Sequence, residues 1–239
     1  MMRLIGLALL FIHSLAYAET EIEQLEILSH RISSSFSALV FFDGQEKYLN
    51  QVNDFLDQGD RLLNQIQLDG NQPSQQQSPQ HQSPQTQLKQ QWQKARELVE
   101  SNRQSVADNL DNFEYEWSLI NQVIQKQITE IQQQHYKNKN PLYSSPSVLL
   151  QVELETILSL YMQHSTEIAS GFSTLPSQNS IETSVATVDT LLASDFSDNQ
   201  RLQKKWRFIR RTLLDHNAES VPFIVLKIFD DMRTIIRSG

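Results

Sequence analysis

Between Val106 and Ile131 eight apolar side chains recur at steps of three and four: Val106, Leu110, Phe113, Trp117, Ile120, Ile124, Ile128 and Ile131. A helix turns every 3.6 residues, so this spacing lays them along one stripe for about seven turns. The same rhythm returns at Ile22, Leu25, Leu28, Ile32, Phe36 and Leu39, at Tyr48, Val52, Phe55, Leu62 and Ile66, and at Leu150, Leu154, Ile157, Tyr161 and Ile168. No stretch alternates apolar and polar residues for long enough to form a strand. The chain is therefore expected to be all-α, each stripe hidden against another helix. Helix boundaries are expected at Asp43-Gly44, from Asn138 to Pro146, from Gly171 to Ser180, and at Ser220, with Pro222 just inside the last helix.

One segment interrupts the pattern. Asn71 to Gln87, NQPSQQQSPQHQSPQTQ, has no apolar residue and cannot help to fill a core. It is expected to be a disordered loop with a mean reach of roughly 20 to 25 Å. The halves of the chain on either side of it then align. Ile27-Leu28-Ser29 answers Ile157-Leu158-Ser159, and Asp60-Arg61-Leu62-Leu63 answers Asp189-Thr190-Leu191-Leu192. Beyond the loop, Leu88, Trp92 and Arg96 repeat the spacing of Leu202, Trp206 and Arg210 at a smaller offset. A duplication with one insertion explains both offsets, since lengthening a loop three- to four-fold costs only about 1 kcal/mol in closure entropy. The expected architecture is two tandem four-helix-bundle-like modules, over 19–140 and 147–239, with the Gln/Pro-rich loop of 71–87 in the first.

The first eighteen residues, MMRLIGLALLFIHSLAYA, carry Arg3, an apolar run from Leu4 to Leu15, and a small-x-small ending at Ala18. This is the pattern of a cleaved signal peptide, too short to span a bilayer. A periplasmic location is expected, in keeping with the lack of any Asn-x-Ser/Thr acceptor. The chain has no cysteine, so an exported fold must be held by packing alone. At 239 residues it is long enough to bury roughly 70% of its surface. Its net charge of −8 argues against a nucleic-acid partner.

The most basic stretch, LQKKWRFIRRTLL, begins at Leu202. Leu202, Trp206, Ile209 and Leu213 form one stripe, while Lys204, Lys205, Arg207 and Arg211 point away from it. Trp206 and Trp92 are expected to be core anchors, with Arg210 and Arg96 one turn on covering the ring edge. The first copy has Gln90, Gln91 and Gln93 where the second is basic, so what recurs is a packing unit. The extra charge is expected to be a solvated face. A peripheral membrane contact through Lys204, Lys205 and Arg207 is the alternative, and it is not expected.

Leu25-Glu26-Ile27-Leu28-Ser29-His30-Arg31-Ile32 resembles the first-helix signature of the type IV pili methyl-accepting chemotaxis transducer N-terminal family, which reads like RMLSQRI. Leu28, Ser29, Arg31 and Ile32 match, and the second half resembles a degenerate second copy in which Tyr161 stands where Arg31 would be. The family includes the sensor modules of nitrate/nitrite histidine kinases. The resemblance implies a sensor-like helical module that binds a ligand through Arg31, Ser29 and Glu26, with a membrane receptor or histidine kinase as partner and a homodimer through the first helix. Members that bind small anions have an arginine where this chain has Glu26, and a carboxylate there repels an anion. The anion-sensing role is therefore not expected to transfer. Arg31 is the matching position left to contact a ligand, against the plainer reading of a salt bridge to Glu26 or a neighbouring carboxylate.

No GxSxG, HExxH, CxxCH or Gly-rich phosphate loop occurs. His164 continues the stripe of Leu154, Ile157 and Tyr161, but a lone histidine on an apolar face is expected to be a hydrogen-bonded core residue. Glu114, Glu116, Asp230 and Asp231 read as solvated carboxylates. No catalytic residue, metal or cofactor is expected. The expected function is a non-catalytic periplasmic module that binds a small ligand or the outer part of a membrane receptor. The alternative is a structural or chaperone-like envelope protein that binds other polypeptides.

Overall fold

The protein, here a computed structural model, is described over residues 20–66, 83–102, 110–135, 143–170, 178–215 and 221–238. It is all-α: α1 (Glu21–Phe41), α2 (Glu46–Gln65), α3 (Pro84–Asn102), α4 (Leu110–His135), α5 (Pro146–Ser170), α6 (Gln178–Ser194), α7 (Gln200–Leu214) and α8 (Pro222–Ser238). None of these helices is long and apolar enough to cross a membrane. The leader at 1–18 and most of the Gln/Pro-rich segment lie outside the described residues.

Local chemistry sets the helix ends. Thr20 caps α1 in a reciprocal box: its hydroxyl accepts from the Glu23 amide, and the Glu23 carboxylate accepts from the Thr20 amide at 2.8 Å. The α1–α2 turn runs through Asp43 and Gly44 at φ of 51° and 76°, conformations that an aspartate tolerates and a glycine adopts freely. The disordered loop expected over 71–87 needs correction at its end, because α3 already begins at Pro84. Proline at the first helical position loses no hydrogen bond, and the Ser83 hydroxyl accepts from the Thr86 amide at 3.3 Å.

Helix α1 lies at the centre and is buried on nearly every side. Its apolar stripe of Ile22, Leu25, Leu28, Ile32, Phe36 and Leu39 is at most 6% exposed. Each such side chain contributes about 1.5–3 kcal/mol through burial. The polar face is buried as well. Ser29, Ser33 and Ser34 donate to carbonyls of their own helix, at 2.7 to 3.1 Å, so these hydroxyls are not left unsatisfied. Contacts Glu23–Ser144, Arg31–Glu155 and Ser37–Thr166 ascend together, so α1 and α5 run parallel. Contacts of α1 with α4 descend, from Trp117–Ser33 to Gln132–Glu26, and those two helices are antiparallel. Helices α5 and α8 are antiparallel too, joined by Glu155–Arg233 and by the Val221 amide donating to the Tyr161 hydroxyl at 2.9 Å.

One apolar core runs through all eight helices, with a small satellite of Ile27, Val148 and Val152. The duplicated positions do share surroundings. Trp92 and Trp206 are both buried; Arg96 pairs with Asp60 at 2.5 Å, and Arg210 pairs with Asp189 at 2.7 Å. Asp60 and Asp189 are the aspartates that answer each other in the alignment of the halves. The arginines are thus held by carboxylates, where the spacing had suggested that they cover the indole edge. The indole groups differ in their acceptors: Trp92 donates to the Leu56 carbonyl at 3.3 Å and Trp206 to Asp189 at 2.8 Å.

Two stripes are rotated from the expected register. In α2 the buried line is Tyr48, Val52, Leu56, Gly59 and Leu63, leaving Phe55 and Leu62 only half-buried. In α5 Ile168 is 52% exposed, because the stripe ends before it.

Candidate functional site

Where α1 and α2 meet α8, with α5 closing one side, two adjoining cavities open. The first, about 490 Å³, is lined by Gln24, Ile27, Leu28 and Arg31 of α1, by Gln58, Arg61, Leu62 and Gln65 of α2, and by Gln151 and Arg237. It holds three arginines and four glutamines, and among the described residues no carboxylate lines it. The second, about 350 Å³, lies between α1, α2 and α8 and has Arg31, Lys47, Lys227, Arg233 and Arg237 against a single acid, Asp230. Arg31 and Arg237 line both cavities, so the first and last described helices share their dividing wall. Phe55 and Leu62 escape full burial because they line these cavities.

Arg31 is held from behind. Its Nε donates to Glu155 at 2.7 Å, and Arg233 grips the same carboxylate at 2.7 and 2.5 Å. Arg233 also reaches Asp230 at 2.5 Å. Burial alone would push the Glu155 carboxyl up, but Arg233 and Arg31 outweigh it and hold the pKa down at about 2. Arg31 is 6% exposed, yet its Nη2 meets no acceptor among the described residues. A buried guanidinium with an unsatisfied N–H group costs on the order of 1–3 kcal/mol. Among the described residues Arg61 and Arg237 have no ion-pair partner, and Lys47 rests over the Tyr48 ring at 4.5 Å. Fixed donors in a partly enclosed, acid-poor cavity suit an anionic group.

The structure separates the three candidate ligand residues. Arg31 faces the cavities, whereas Ser29 and Glu26 line neither and turn toward α4. Ser29 accepts from Gln125 at 2.5 Å; Glu26 accepts from Gln132 at 2.6 Å and from the Tyr143 hydroxyl at 3.2 Å. Burial raises the Glu26 pKa, and burial together with the adjacent Glu26 carboxylate raises that of Tyr143. The carboxylate expected to repel an anion thus belongs to another face of α1. Arg31 does make a salt bridge, with Glu155 as the partner.

Sequence reasoning missed Glu155 and Arg233. A usable signal was present for the first: Val152, Leu158 and Met162, at i−3, i+3 and i+7, are all apolar, so a charge at 155 sits inside a second apolar stripe. Asp230 and Asp231, read as solvated, are both ion-paired. His164 lines neither cavity, and among the described residues no group of three or more His, Asp or Glu side chains is arranged to hold a metal. No family model, curated protein or solved structure matches the chain.

Proposed function

We propose that this protein is a non-catalytic binding module that takes a small anionic molecule into the paired cavities between α1, α2, α5 and α8. The observation that carries the reading is Arg31: pinned by Glu155, buried, and left with its Nη2 without an acceptor among the described residues, at the wall shared by both cavities. Because Arg31 and Arg237 come from helices at opposite ends of the chain, a bound anion ties those helices together. That suits a sensor-like role in which binding is read by a second protein. The leader pattern supports export, and the resemblance of the first helix to transducer sensor modules supports a receptor or kinase as the reader.

Thermal unfolding with inorganic phosphate, nitrate, citrate and glucose tests the reading. An anion at a hundred times its dissociation constant is expected to add about 2.7 kcal/mol, and glucose nothing. Arg61→Gln and Arg237→Gln remove exposed side chains that have no ion-pair partner among the described residues, so both should fold normally and bind the anion more weakly. If an anion stabilises wild type and both variants alike, binding lies elsewhere and the cavity reading is lost. A scaffold that binds only polypeptides responds to none of the four.

A further inference from the structure

Helix α7 carries Arg201, Lys204, Lys205, Arg207, Arg210 and Arg211 and no acid, in a chain of net charge −8. Its packing needs are met by Leu202, Trp206, Ile209 and Leu213, all at most 2% exposed. Arg210 is taken by Asp189 and Lys205 by Asp231. Among the described residues Arg201, Lys204, Arg207 and Arg211 have no carboxylate partner. Phe208 stands in their midst, 64% exposed. Arg201, Lys204, Phe208 and Arg211 follow one another at steps of three, four and three, which sets them along one outward stripe. Beside it a groove of about 840 Å³ runs between α7 and α8, with Phe208, Ile228 and Ile235 as its apolar lining, Arg201, Lys204, Lys205 and Arg207 as its cations, and one carboxylate, Asp231, which Lys205 neutralises.

The molecule contains its own control. Helix α3 is the counterpart of α7 and buries Leu88 and Trp92 in the same way, yet its residues matching Lys204, Phe208 and Arg211 are Gln90, Lys94 and Glu97. Packing therefore requires neither the cationic stripe nor the protruding phenylalanine. A solvated face, the expectation from sequence, explains the charges but gives no reason for an exposed aromatic continuous with an apolar groove.

We infer that this face of α7 is a peripheral contact for an anionic membrane surface. Arg201, Lys204, Arg207 and Arg211 meet lipid phosphates while Phe208 enters the boundary between headgroups and acyl chains. An acidic protein partner is disfavoured because the stripe of Arg201, Lys204, Phe208 and Arg211 offers density of charge and an apolar anchor, and the one carboxylate beside it, Asp231, is already taken by Lys205, leaving little to set a register.

Co-sedimentation of the full chain with vesicles tests this. The probes are neutral phosphatidylcholine and the same lipid with about 30% phosphatidylglycerol, at low and high salt. The readout is the ratio of anionic to neutral binding, compared between wild type and variants that all carry the same residues 1–18, so that a change in the ratio reports on α7 alone. Wild type is expected to favour anionic vesicles by tenfold or more at low salt, and each cation changed to Gln should weaken binding about fivefold. Phe208→Ser should reduce binding at both salt concentrations. All these side chains are outward-facing, and unchanged circular dichroism melting verifies that the variants fold. No preference for anionic vesicles, or a preference that the variants leave intact, overturns the inference. So does variant-sensitive binding to polyglutamate without binding to vesicles, which would assign the face to an acidic protein.

Discussion

At Glu155 two guanidinium groups converge on one carboxylate that is 1% exposed. Changing only the acid leaves two cations buried without their counter-charge, and Glu155→Gln is expected to cost about 3–5 kcal/mol in urea unfolding. Replacing Arg31, Glu155 and Arg233 together by Met, Leu and Met should recover most of that loss, because no charge is then stranded. Acid acts on the same cluster: a folded pKa of about 2 means the contribution of Glu155 is full above the ordinary carboxylate range and fades as pH falls from there through about 2. His30 titrates earlier. Partly buried and hydrogen-bonded to Thr156 at 3.2 Å, it has its pKa lowered by loss of water to about 4. From pH 6.5 down to about 4 the unfolded chain binds a proton that the folded His30 refuses, so stability falls by an amount on the order of 3 kcal/mol. Glu26, with its pKa raised by burial, works in the opposite sense as pH falls. The difference in stability between wild type and His30→Asn isolates the histidine: between pH 6.5 and about 4 wild type should lose on the order of 3 kcal/mol relative to the variant.

Among the elements, α2 and α3 fit by omission of a side chain. A Cβ on Gly59 would lie 1.9 Å from Cζ2 of Trp92, on a ring that has no slack because it is 1% exposed. Gly59→Ala is expected to destabilise by about 1–3 kcal/mol despite the better helix propensity of alanine. The double variant with Trp92→Leu should cost clearly less than the two changes summed, since the clash is gone; additive costs in urea titrations would show that ring and backbone are not in contact. The counterpart of Gly59 in the second half is Val188, also fully buried, so the repeated tryptophan is seated differently in each half. What the halves keep is the ion pair of arginine with aspartate and the buried indole.

For the whole molecule the decisive feature is the parallel contact of α1 with α5, which joins counterpart helices from the two halves in one core. Each half contributes a helix whose burial depends on the other. Unfolding is therefore expected to be a single transition, with the same midpoint whether followed at Trp92 in a variant lacking Trp117 and Trp206, or at Trp206 in a variant lacking the other two. Two separated midpoints would mean that the halves are independent modules, as the duplication by itself suggests.

The spacing of apolar residues was sufficient to determine that the chain is all-α, where most helices begin and end, and which positions recur between the halves. Those properties depend on contacts within one or two turns. The stripe of α1 from Ile22 to Leu39 could be read in advance for that reason, as could the burial of Trp92 and Trp206. The candidate site could be read only at Arg31, because its other members, Arg61, Gln151, Arg233 and Arg237, come from three other helices, and their charges look solvated in a linear reading. Only tertiary structure decided that the polar face of α1 is buried too, that Glu26 turns away from the cavities, and that Phe208 is left outside. Each of these follows from which helix lies next to which, and that choice is set by the summed burial of all eight stripes.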